Sequence, residues 1–346
     1  MNELPLRQLI KVLDGDTSGP KSFTGPIGKH LLKCETLPIV EFKAIPSENI
    51  CVTTEDISTD QLYLLKIYNA ISTGSITESL GARDPGNLSH SRWLTTANRL
   101  LRLYSSTNEP SENFLRIIMY IMKCYVPTWF DVKCKESITH GSKHLFSLVK
   151  RSQLLDESTR DIIHPVIQRN GYFAHSENIL LTMLVDENIN LRKLAFSRII
   201  KARNAKNSST RRAFKIPKMN QDAKTYCDLI EWPTVYLTEN ADIDFTESEY
   251  ETSYSEPPLL SDYSVNDLQQ IVEVGKMSED INKLLCHNQN VERAIKLVSE
   301  ASKRRCLKTD REGIVHTVIA SRSNMPMFES KKDYKFRWKP AQPLKM

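Results

Sequence analysis

The chain has 346 residues, 40% apolar and 26% charged, an ordinary globular composition long enough for two domains or one large one. Only 11 of its residues are glycine, which speaks against a glycine-rich nucleotide-binding fold and for a mainly helical one. The net charge of +5 is mild, so its distribution along the chain matters more than its sum.

Seven cysteines are scattered as Cys34, Cys51, Cys124, Cys134, Cys227, Cys286 and Cys306. They are odd in number and form no CxxC, as expected of reduced thiols in a nuclear or cytoplasmic protein. Met1 to Arg7 has no apolar signal-peptide core. No apolar run approaches the roughly 18 residues of a membrane span, and the longest candidate, 114–126, is interrupted by Arg116 and Lys123. No membrane partner is expected.

Residues 1–57 read as an irregular N-terminal segment, the remnant of an upstream domain, with a short helix over 6–13 after Pro5. Gly15, Gly19, Gly25 and Gly28 with Pro20 and Pro26 break the chain repeatedly. Leu37 to Ile45 has the pattern of a strand.

A helical domain is expected over 58–224. Ser58 and Gln61 form a capping box, Leu62, Leu65, Ile67, Ala70 and Ile71 give an apolar stripe, and Gly74 stops the helix. Trp93, Leu94, Ala97, Leu100, Leu101 and Tyr104 make a clean 3.6-residue face, with Arg92, Arg99 and Arg102 off it. Ser111 opens another helix through Phe114, Ile118, Ile121 and Tyr125, and Pro127 is expected to end it. Shorter helices follow at 144–149, 162–167, 179–184 and 191–200. Paired helices without a fixed sequence period do not define a solenoid.

The charge then reverses. Arg192 to Lys218 holds ten Lys or Arg and no acid, whereas Thr225 to Gly275 holds twelve Asp or Glu and no base. Residues 225–262 read as an acidic flexible segment. Two arrangements follow: the acidic segment lies against the basic run of its own chain, or the basic run serves a polyanion. Helices return over 263–325, including one through Val291, Ala294, Ile295 and Val298, and residues 326–346 form a basic tail.

Catalytic signatures are lacking. There is no Gly-x-Ser-x-Gly elbow, no Walker loop and no GxGxxG. Cys124, Cys134, His140 and His144 occur in order, but their spacing fits no zinc finger or ribbon, and buried Cys with surface His is the plainer reading. No metal, cofactor or small-molecule substrate is expected. The chemistry that remains is phosphate neutralisation by Arg192, Lys193, Arg198, Lys201, Arg203, Arg211, Arg212, Lys215 and Lys218. Arg92 and Trp93 join them as candidates, the indole being either a core aromatic or a stacking residue near distorted DNA.

Several segments occur together: Asn2-Glu3-Leu4-Pro5-Leu6-Arg7; Asp14-Gly15; Gly19 to Gly28; Gly86-Asn87-Leu88-Ser89-His90-Ser91-Arg92-Trp93-Leu94-Thr95; Val166 to Asn170; Ala174 to Asn178; and Cys286 to Arg293. This set resembles a group of mobile-element-derived proteins numerous in arthropods and cnidarians. More remotely it is similar to the C-terminal part of hAT-type transposases, in which a ribonuclease-H-like core is interrupted by a large helical insertion. The resemblance implies that Arg92-Trp93 and Glu292-Arg293 match the family's Arg-Trp pair and late acidic helix. Glu292 is then a vestigial metal-binding acid, because the family's two Asp precede the Asn2 block. Two-metal chemistry needs converging acids about 4 Å from ion to ion, and one Glu does not supply them. The expectation is a mainly α, multi-helical protein without catalysis, a fragment or truncated relic, that binds DNA through its basic segments. The alternative is a helical scaffold for protein partners or for self-association.

Overall fold

A capping box and a left-handed glycine frame the first long helix, as the sequence predicts. The Ser58 amide donates to Gln61 Oε1 at 2.9 Å, and Gly74 closes the helix at φ 76°. The computed structural model describes residues 3–17, 23–53, 57–88, 93–135, 137–169, 171–204, 218–232 and 264–276. These are mainly helical, with no strand among them and one isolated bridge between Thr17 and Phe23.

The chain divides into two compact units. The first holds α1 (Glu3–Leu13), α2 (Pro26–Lys29), α3 (Thr59–Thr73), α4 (Glu78–Gly81), α5 (Trp93–Tyr104), α6 (Glu112–Tyr120), α7 (Val126–Cys134), α8 (Ser137–Ser152) and α9 (Glu157–Gln168). A short stretch around the 3-10 turn Tyr226–Asp228 also belongs to it and packs on α8. The second unit holds α10 (Ser176–Leu184), α11 (Ile189–Asn204) and α12 (Val265–Val274).

The N-terminal residues are part of the first unit. α1 packs on α9 and α6 and buries Leu6, Leu9 and Ile10. After it, both oxygens of Asp14 accept backbone N–H groups at the start of α2, from Ile27 and from Gly28, each at 2.7 Å. Gly25 lies against the Asp14 backbone so closely that an added Cβ would fall 1.5 Å from its carbonyl oxygen. A glycine is therefore required there by close approach.

The strand pattern at Leu37 to Ile45 does not give a strand. Its bonds go to helix ends instead: Val40 N donates to Ser105 O and Ile45 N to Ile71 O, both at 3.1 Å. Tyr104 and Tyr68 donate their hydroxyls to Lys43 O and Glu48 O, each at 2.8 Å. The segment straps α3 and α5 by satisfying orphan helix carbonyls.

The expectation that Pro127 ends its helix is corrected. α6 runs through a π-helical turn, Ile121–Tyr125, directly into α7, where Pro127 is the second residue. A proline inside an α-helix lacks one N–H and strikes the carbonyl four residues back. The wider turn just before it gives that ring room. Tyr120, Tyr125 and Cys124 on this turn are all fully buried.

The second correction concerns α5. Arg99 and Arg102 lie off its apolar stripe, yet all twelve residues of the helix are buried. Arg99 donates from Nε to Gly86 O at 2.7 Å and from Nη1 to Leu31 O at 2.9 Å. It also pairs with Glu35 at 2.9 Å and Asp84 at 3.0 Å. Arg102, only 1% exposed, donates to Gly81 O and Leu37 O, both at 2.7 Å, and to Glu35 O at 3.3 Å. The Ser106 hydroxyl accepts a further bond from it. Two guanidiniums thus hold the loops 31–37 and 81–86 around the central helix. Replacing Arg102 by Ala strands three main-chain acceptors, and the expected loss is about 3 kcal/mol of unfolding free energy. Arg102→Lys, with one point of donation, recovers less than half. Urea denaturation followed by circular dichroism checks both.

Candidate nucleic-acid interface

The basic run begins on α11. Its start is set by polar turns: Asp186 Oδ1 accepts from Asn188 N, and Asn188 Oδ1 from Asn190 N, both at 2.9 Å. Ala195, Ile199 and Ile200 form its buried side, and the helix packs on α10 and α12. Five of the predicted basic residues, Arg192, Lys193, Arg198, Lys201 and Arg203, therefore share one helix. Lys193 is exposed, and Lys201 is partly exposed.

Arg192 and Arg198 are already engaged. Arg192 donates from Nε to Val272 O at 2.7 Å, and from Nη1 to Asp186 O at 2.8 Å and Glu187 O at 3.1 Å. Val272 lies in the last turn of α12, which ends on Gly275 at φ 70°. A guanidinium there meets carbonyls that lack helical partners and complements the negative end of the helix dipole. The α12 side of this contact is apolar: Leu268, Ile271 and Val272 are buried, and α12 packs on α11. Arg198 stacks on the Trp232 ring, its guanidinium carbon 4.1 Å from the centroid, a cation–π arrangement.

Arg203 lies in the last turn of α11. The other predicted residues that the structure describes are not on this helix. Lys218 is exposed and belongs to the first unit, just before Met219, whose amide donates to Gln168 Oε1 at 3.2 Å. Trp93 is also in the first unit and is 6% exposed. Of its two readings the indole takes the core one, since stacking needs an open ring face. Arg92, Arg211, Arg212, Lys215 and Glu292 lie outside the described residues.

Trp232 was not singled out by the sequence, nor were the α12 carbonyls. The tryptophan carries a weak signal, an aromatic residue at the start of an acidic stretch. A main-chain carbonyl carries none, because every residue has one.

Other chemistry is sparse. A shallow groove of about 570 Å³ is lined by Lys66, Arg83 and the hydroxyls of Thr73, Ser75, Thr77 and Ser79, among others. Its two cations suit an anion, but it lies at the C-terminal end of α3, where the helix dipole is negative. No predicted site residue lines it. Cys34 is buried, and burial pushes its thiol up to about 11, partly offset by Arg99; burial lifts Cys124 further. Neither is a thiolate at neutral pH. Cys124, Cys134, His140 and His144 do not assemble as ligands, and no group of three His, Cys, Asp or Glu suited to a metal occurs among the described residues. Both Asp14 oxygens are occupied by backbone amides. The described acids thus do not fit the metal pair that the transposase resemblance implies.

No family model, no curated protein and no solved structure matches this chain.

Burial lowers the pKa of two described histidines, His144 and His164, and His144 is the more deeply buried. Its Nε2 donates to Lys135 O at 3.0 Å, which sets the tautomer. Burial lowers its pKa, with the Lys135 hydrogen bond pulling the other way. A lowered folded-state value means the unfolded chain binds the proton first. Stability from this group is complete above about pH 6.5 and declines as pH falls below it. His144→Gln keeps a donor for Lys135 O and removes the titration. The expected result is a flatter fall in melting temperature between pH 7 and 5, read by thermal denaturation at fixed ionic strength.

Proposed function

We propose that this chain is a nucleic-acid-binding helical protein of mobile-element descent, without a catalytic step of its own. The observation that carries the reading is the basic run, ten Lys or Arg without one acid over Arg192 to Lys218, which starts on a surface helix with Lys193 exposed and Lys201 partly so. Phosphate contact needs only mobile cationic side chains at the surface. It gives affinity and strong salt dependence without sequence readout. Descent from a mobile element rests on the shared segments, whose described residues serve the fold. Asp14 and Gly25 build the α2 cap, and Gly86 O accepts from Arg99. Such positions persist in a folded relic after an active centre is gone.

Fluorescence anisotropy with a labelled duplex, titrated with salt, tests the reading. The full chain is expected to bind with micromolar or tighter affinity at low salt. Arg211→Ala with Arg212→Ala is expected to reduce the slope of log K against log salt by about 2, roughly one unit for each lost phosphate contact. No binding at low salt overturns it. Mass that rises with protein concentration, in the same samples, then points to a protein scaffold.

A further inference from the structure

Two parts of the acidic stretch, Trp232 and α12, meet the basic helix. Trp232 covers the Arg198 guanidinium at 4.1 Å. The helix α12 docks its apolar side on α11 and takes the Arg192 guanidinium at its C-terminal turn, with the Val272 carbonyl 2.7 Å from Nε. These are the two arginines of α11 whose side chains are described, and each is held by residues from the acidic stretch of the same chain. Neither contact is a carboxylate ion pair. One is an aromatic face and the other a helix C-terminus, and both neutralise an arginine without supplying a competing full charge.

We propose that Trp232 and α12 form an autoinhibitory contact on α11, withholding Arg192 and Arg198 from a nucleic-acid backbone. This rests on the proposed nucleic-acid function of the same helix. A guanidinium donating to Val272 O, Asp186 O and Glu187 O has its donor edge spent on main-chain oxygens. To reach a phosphate it must leave them. Arg198 must likewise leave the indole. Lys193 stays exposed throughout, so the inhibited protein keeps a weaker, lysine-based affinity. Binding and release are then linked: nucleic acid that engages the arginines undocks α12, and anything that undocks α12 tightens binding by the same factor.

The test uses the full chain and a 30-bp duplex, with two readouts. The first is anisotropy on wild type, Trp232→Ala and Ile271→Ala. Trp232→Ala removes the indole from the Arg198 guanidinium, and affinity is expected to rise about fivefold, the lower end of ordinary coupling, with the salt slope steeper by about 1. Ile271→Ala weakens α12 docking and is expected to act in the same direction. The second readout is hydrogen exchange of the wild type, which needs no variant to fold. Amides of 264–276 are expected to exchange faster when duplex is added. Wild-type binding with unchanged affinity in Trp232→Ala, and with α12 amides unchanged or slowed by duplex, overturns the autoinhibitory contact and leaves the nucleic-acid reading standing. Failure of wild type and both variants to bind at low salt overturns the nucleic-acid reading itself, and the inhibition with it.

Discussion

The first unit depends on two guanidiniums kept inside it. Arg99 and Arg102 sit on a helix buried on every side, 5% and 1% exposed. A charge in that position is tolerated only if its donors are satisfied. Arg99 finds two carboxylates and two carbonyls; Arg102 finds three carbonyls and serine hydroxyls. Burial pulls the Arg102 pKa downward, yet its starting value is so high that the group stays charged. The reciprocal holds for the loops. Segments 31–37 and 81–86 have carbonyls with no strand partner among the described residues, and the arginines are what those carbonyls bind.

The same device recurs at other contacts between helices and between helix and loop. Arg151 on α8 pairs with Asp131 on α7 and with Glu48 on the strap, each at 2.7 Å. Arg116 on α6 donates to Thr159 at the start of α9 at 2.9 Å. Arg192 holds the end of α12. The planar fork of arginine reaches several acceptors at once, so in this protein it works as a crosslinker between helices and loops. Lysine, a single point charge, is left to carry surface charge at Lys193 and Lys218. Formal charge in a stretch of sequence therefore overstates what is open to a partner.

That distinction changes the meaning of the basic run. Counted as charge, Arg192 to Lys218 is a uniform polycation. Placed in space, its first helix has an open lysine and two arginines already occupied by the acidic stretch. The two arrangements that composition allows, acid against base within the chain or base toward a polyanion, are alternative states of the same arginines. The contacts described on these arginines are an aromatic face and main-chain carbonyls, which charge counting does not anticipate.

Periodicity and turn chemistry determined much of the architecture. The capping box at Ser58, the glycine stop at Gly74, the α5 and α6 stripes and the mainly helical class follow from local rules, since helix formation is governed by near neighbours in sequence. What the sequence did not determine is what covers each helix. Arg99 and Arg102 are polar residues on a polar side, and only the loops that fold over α5 make that side interior. Pro127 is a helix breaker whose effect is absorbed by a π turn that no residue pattern announces. The strand pattern at 37–45 gives no strand and finds helix ends instead of a neighbouring strand. Trp93 reads first as a core aromatic, with stacking as the alternative, and burial puts it in the core. Arg192 meets Val272, 80 residues away, and Arg198 meets Trp232, 34 residues away. Such long-range pairing depends on tertiary packing, and in two of these cases the partner is a main-chain carbonyl, a group common to every residue and so invisible in the amino-acid sequence.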